Sequence, residues 1–110
     1  MPIIPNSSTN LNTTPFPDEA ISINKTLTTV NTAEDLALVV VGKKGRKVSL
    51  VNEGPGSAYI KVDGVATVND IEIQPKDVWY EEDIEISTKL SFIGDVGKKP
   101  HVRGVLWCGL

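Results

Sequence analysis

The sequence predicts an all-β domain, a sandwich or jelly-roll-like barrel of about eight to nine short antiparallel strands. Three observations carry that prediction. Apolar residues alternate with polar ones at a period of two along most of the chain. Turn signals rich in Gly, Pro, Asn and Asp recur every 8–12 residues. Helical periodicity is almost absent, with "NTAEDLAL" offering at most one helical turn before a run of valines.

The elements follow in order. "AISINKTLTTV" sets Ile21, Ile23 and Leu27 against Ser22, Asn24 and Thr26. "DLALVVV" is a continuous apolar run and predicts a central strand buried on both faces. "GKKG" predicts a turn, after which "RKVSLVN" resumes with Val48 and Leu50 on one face. Asn52 to Gly56 predicts a chain reversal. "SAYIKVD" then turns Ala58, Ile60 and Val62 inward, and Asp63-Gly64 predicts a further tight turn, since Asp-Gly is a strong hairpin signal. "NDIEIQP" and "DVWYEED" are short strands separated by a turn at Pro75-Lys76. "DIEISTKLSFIGD" reads as one long strand with Ile84, Ile86, Leu90 and Phe92 on its inner face, and "HVRGVLW" is the last. Trp79, Phe92 and Trp107 are the large pieces available to a core otherwise built from Val, Ile and Leu.

Residues 1–19 stand apart. "MPIIPNSSTNLNTTPFPDE" holds four of the seven prolines and is rich in Asn, Ser and Thr, so it predicts an extended arm preceding a β-domain over 20–110. Its apolar residues Ile3, Ile4, Leu11 and Phe16 are too sparse for a core and are placed as anchors that dock onto a partner. A loose tail is the other reading of the same composition.

At 110 residues the chain is expected to bury a core without metal or disulfide; its single cysteine, Cys108, excludes an intrachain bridge. The net charge of −3 argues against a protein built to grip nucleic acid. "LALVVV" is too short to span a bilayer, and the N-terminus lacks a basic segment leading into a long apolar run. Neither a membrane partner nor secretion is expected.

Enzymatic chemistry finds little footing, and no cofactor or metal is expected. His101 is the only histidine and reads as a surface residue; a catalytic role would require it to activate Cys108. "GPG" at 54–56 precedes a strand, whereas a phosphate cradle needs a helix N-terminus. The acidic run Glu81, Glu82, Asp83 and Glu85 lacks the grammar of a calcium loop and reads as a solvated turn. Lys43, Lys44, Arg46 and Lys47 form the densest basic patch, either a solvated hairpin tip or a contact for an acidic protein surface. No aromatic residues interleave with these bases to stack on nucleotides.

"LVNEGPGSAYIKVDGVA", followed by "IEIQP" and "SFIGDVG…VRGVLW", resembles a pattern in small bacteriophage virion proteins. The matching positions are Asn52, Gly54, Ala58, Tyr59, Ile60, Asp63 and Gly64, with Pro75 at the turn, and the resemblance spans about Val48 to Trp107. It implies a non-enzymatic structural protein of the virion, made in the bacterial host cytoplasm. Its size implies a capsid decoration, or cement, protein that binds the outside of the head, with the major capsid protein or other virion proteins as partners. Such proteins sit as small homo-oligomers, for which the resemblance implies a trimer, and often clasp the shell with an N-terminal arm. The alternatives are a neck, tail or fibre-base component, or a carbohydrate-binding module of a tail fibre in which Trp79 and Tyr80 would stack on sugars.

Overall fold

The computed structural model describes residues 18–110, which fold as a two-layer β-sandwich of eight strands without a helix. The strands are β1 (Glu19–Thr26), β2 (Glu34–Leu38), β3 (Lys44–Asn52), β4 (Ala58–Val62), β5 (Ile71–Ile73), β6 (Val78–Glu81), β7 (Lys89–Gly94) and β8 (His101–Gly109). Sheet I has the order β1-β8-β3-β6 and sheet II the order β2-β7-β4-β5. All neighbours are antiparallel. The pairs β1–β8, β2–β7, β3–β6 and β4–β5 nest one inside the next, which is the strand order of a jelly roll.

That order follows from how the connections run. Only β4 and β5 are joined within one sheet; every other connection crosses between the layers. Alternation then packs the inner faces together. Ile23, Val48, Leu50, Val102 and Leu106 from sheet I meet Ala58, Ile60, Ile73, Leu90 and Phe92 from sheet II, all buried. Each Leu, Ile or Phe taken fully from water contributes roughly 1.5–3 kcal/mol. Gly104 lies where β8 presses against β3. A Cβ there would sit 1.9 Å from the Ser49 carbonyl oxygen, so glycine is required by close approach.

Several expectations need correction. The Val-rich run is not a central strand: β2 is an edge of sheet II, and Leu38 and Val41 are exposed at 61% and 98%. A bulge in its pairing with β7, between Asp35 and Ala37, turns both Leu36 and Ala37 toward the core. Two adjacent buried residues therefore imitate a strand buried on both faces. The turn after it is Val40–Lys43, closed by Lys43 N donating to the Val40 carbonyl, with Gly42 at φ 83°. It sits two residues before the predicted "GKKG" turn, and Lys44 already belongs to β3.

The predicted strand over 83–95 is in fact broken. Ile86 bridges Gly45 beside sheet I, and the chain then crosses at Ser87-Thr88 to become β7 of sheet II. Ile86, Leu90 and Phe92 are nonetheless all buried, because the crossing keeps their faces toward the shared core. Asp63-Gly64 is not a two-residue hairpin. The excursion from 63 to 70 folds over the outer face of β7, where Ala66 N donates to Ser91 Oγ at 2.7 Å. Of the three large aromatics, Phe92 is in the core and Trp79 packs half-buried against it. Trp107 lies on the opposite face of β8 from the buried Leu106 and Cys108.

Two polar side chains secure the crossings. Asn52 is fully buried: its Nδ2 donates to the carbonyls of Gly56 and Ile73 at 2.8 Å, and its Oδ1 accepts from Gly54 N at 2.8 Å. The Gly54-Pro55 peptide within this loop is cis. At the other end, Asp63 accepts hydrogen bonds from the backbone N–H groups of Ser87 (2.9 Å), Thr88 (2.6 Å) and Lys89 (3.3 Å). Partial desolvation pushes its carboxyl up, but those backbone donors outweigh it and hold the pKa at about 2.

Replacing Asn52 by Ala strands two carbonyls and one N–H in the interior. Urea denaturation is expected to show a loss of about 2–4 kcal/mol. Asp63 binds its proton less readily folded than unfolded, so its contribution is present above about pH 4 and disappears as pH falls toward 2. Because the side chain is exposed, D63N should lower stability by only about 1 kcal/mol at pH 7. The gap between wild type and D63N, followed by urea midpoint against pH, is expected to close near pH 2.

Candidate interaction face

The two outer faces of the sandwich differ. On sheet II the 63–70 excursion lies across β7, and Ser91 is buried although it alternates with the core residues Leu90 and Phe92. Within that excursion Asp70 accepts from Thr67 N and Oγ1, which holds its carboxyl below the ordinary range despite some desolvation. Sheet I has no comparable cover among the described residues.

Strand register specifies what sheet I presents. One row reads Ala20, Trp107, Lys47; the next Ser22, Val105, Ser49, Tyr80; the third Asn24, Arg103, Val51, Val78. Tyr80 and Val78 are exposed, while Trp107, Val105 and Val51 are half-buried. Aliphatic and aromatic side chains thus share this face with serines and two cations. At the far end, Arg103 and His101 flank Glu53 at 3.6 and 3.9 Å, and His101 Nε2 meets Asn24 Oδ1. A shallow groove of about 440 Å³ runs there between Ser22, Asn24, Val51, Glu53 and Arg103.

The four basic residues occupy distinct settings. Lys43 lies in the turn just before β3 and contacts Asp18 at 2.7 Å and Glu19 at 2.9 Å, contacts that raise its pKa above the ordinary lysine value. Lys44 donates to Ser87 Oγ at 3.3 Å. Arg46 sits at the bulge between Gly45 and Lys47; it reaches the Leu110 carbonyl oxygen at 2.8 Å and Glu85 at 3.3 Å. Only Lys47 points onto the sheet face. Its ammonium lies 5.0 Å from the Trp107 ring centroid and 5.7 Å from that of Tyr80. The patch is therefore divided between the start of the domain, the β3 bulge and the open face, because a bulge changes which way successive side chains point.

Ile3, Ile4, Leu11 and Phe16 lie outside the described residues. The described chain begins at Asp18, whose N–H donates to the Cys108 carbonyl, so it enters the domain beside the end of β8 and next to Lys43. His101 and Cys108 occupy opposite ends and opposite faces of β8, separated by about 23 Å of extended strand. Among the described residues no cluster of His, Cys, Asp and Glu could hold a metal ion, and no helix is long and apolar enough to cross a membrane.

Trp79 turns inward opposite Leu50, so the aromatic pair on the open face is Tyr80 with Trp107. The alternation of Val102, Leu106 and Cys108 against His101, Arg103, Val105 and Trp107 was the sequence signal for this placement. No protein-family model matches the chain, and neither a curated protein nor a solved structure matches it.

The cation–aromatic contact should be measurable without a partner. A double-mutant cycle with Lys47→Met and Trp107→Leu, read by thermal or urea unfolding, is expected to give a favourable coupling of about 0.5–1 kcal/mol.

Proposed function

We propose that this chain is a non-enzymatic structural protein of a bacteriophage particle, a capsid decoration protein that docks on the head and stabilises it. The observation that carries the reading is the asymmetry of the sandwich. One outer face is covered by the protein's own loop, and the other is uncovered among the described residues and mixed in polarity. Interfaces of proteins that bind other proteins combine aromatic and aliphatic residues with arginine in this way. Two further points support it. The jelly-roll strand order recurs in viral capsid domains, which is an argument by analogy of fold. The sequence between Val48 and Trp107 also resembles small phage virion proteins.

In this reading sheet I faces the shell, and Asp18, where the described chain begins, lies beside the end of its strand β8. The major capsid protein is the proposed partner, and a homo-oligomer over a lattice junction is the proposed arrangement. A neck, tail or fibre-base position would use the same face. Lectins also use jelly rolls, but Lys47 lies over the rings of Tyr80 and Trp107, where a sugar would have to stack.

Particles purified from cells that make the protein provide the test. Immunogold labelling and sedimentation should find the wild-type chain on heads. Val51→Glu with Val105→Glu, or deletion of residues 1–17, should reduce its occupancy at least tenfold while the truncated domain keeps its β-sheet circular dichroism. Absence of the chain from all particles, or full occupancy by the double glutamate variant, would reject the proposal.

A further inference from the structure

An edge strand carries a row of backbone groups that no neighbour satisfies, and most proteins blunt it. Three of the four edges here are blunted by shape: β5 has three residues, β6 has four, and β2 is interrupted by its bulge. Strand β1 is different. It has eight residues, contains no proline, and pairs with β8 in one unbroken register from Glu19 to Thr26.

Which backbone groups of β1 are free follows from that register. Leu27 N donates to the Pro100 carbonyl, one step beyond the Thr26–His101 pair, while Glu53 N donates to the His101 carbonyl from the other side of β8. Bonding alternates along an antiparallel strand, so Glu19, Ile21, Ile23 and Lys25 turn their N–H and C=O groups to β8. Ala20, Ser22, Asn24 and Thr26 turn theirs outward. All four are exposed, and their backbone has no partner among the described residues.

The strand also complements itself. Laid antiparallel on a second copy with Ser22 opposite Ser22, Ala20 meets Asn24, and the free N–H and C=O groups of all three pair across the junction. The intervening residues then oppose one another at closer range, Glu19 with Lys25 and Ile21 with Ile23, each twice by symmetry. Centring the pair on Ile21 or Ile23 also aligns the free groups, but it sets Glu19 against Ile23 or Lys25 against Ile21. Charge complementarity therefore selects one register, and it selects this same strand as the occupant. An inward-pointing lysine on an edge repels most added strands, but Glu19 of the second copy answers it here. Both residues remain partly exposed beside their internal neighbours Glu34 and Lys43, which leaves them room to do so.

We infer that β1 is a homodimer contact: two copies join their β1 strands antiparallel about a two-fold axis through Ser22, making one eight-stranded sheet from two sheets I. Opposed residues share a face in such a pair, so both outer faces of sheet I point the same way. This specifies the homo-oligomer of the proposed function as two-fold, where the resemblance implies a trimer, and its argument rests on β1 alone.

The purified whole chain should show a concentration-dependent dimer in sedimentation equilibrium, with a Kd on the order of 10–100 µM for so small a contact. E19K alone and K25E alone should each weaken it at least tenfold, since like charges then meet twice. Mixed in equal amounts, the two variants should dimerise with each other, because each supplies the charge the other lacks. Mixing repairs no contact within either chain, so the rescue reports only the contact between copies. S22P, which removes only an outward N–H, should keep its β-sheet circular dichroism and be monomeric. S22C should give a disulfide-linked dimer on mild oxidation, Cys108 being buried, whereas S49C on the interior strand β3 should not. A monomer or a trimer at concentrations up to about 1 mM would overturn the inference. So would a dimer untouched by S22P, or a mixture of E19K and K25E no tighter than either alone. A dimer that S22C fails to cross-link would indicate another occupant of this edge, such as a strand from residues 1–17, and would overturn it too. All these readouts use the isolated protein, so absence of the chain from particles would bear only on the proposed function.

Discussion

The buried side chain of Asn52 is the contact on which this jelly roll turns. It lies at the end of β3, where the chain leaves sheet I for sheet II, and its amide binds Gly54 and Gly56 of that crossing. The same amide donates to Ile73 at the end of β5, where the chain is about to return. The Asn52 backbone completes the junction, donating to the Asp77 carbonyl and accepting from Lys76 N. Backbone groups at a crossing cannot join either ladder, and when buried they need another partner. One planar amide, carrying donors and an acceptor, meets that need for two crossings at once.

Asp63 does comparable work at the opposite end with a charge instead of a buried amide. Its carboxylate gathers three consecutive N–H groups at the point where the chain leaves the Ile86 bridge and enters β7. Its position near water lets a full charge serve there, whereas an isolated charge in the place of Asn52 would carry a heavy desolvation cost. Because β4 ends at this clamp, the following residues continue across β7 instead of turning back at once. The cover on sheet II is thus a consequence of how the crossing is secured. The outer face of sheet I, uncovered among the described residues, is the counterpart of that choice.

Much of the face was legible in the sequence once each strand was known. Alternation alone places Lys47 with Ser49 and Val51, and Trp107 with Val105 and Arg103. What alternation cannot supply is which strands are neighbours, so the meeting of Lys47, Tyr80 and Trp107 was hidden. These residues come from three strands separated by up to 60 positions. The basic segment shows the reverse case. Four cations in five positions look like one patch, but a bulge and local carboxylates divide them among different contacts.

By itself the sequence determined the all-β class, the eight short strands within the expected number, and most of the inward-facing residues. Those properties rest on local alternation and turn chemistry, which act over a few residues. Tertiary structure decided that the valine-rich run is a bulged edge, that the strand around Ile86 is broken between layers, and that Asp63 is a clamp. It also decided that Trp107 faces outward beside Lys47. Each of these depends on a partner distant in sequence, and hydrogen-bond register between strands is set by global packing, not by local preference.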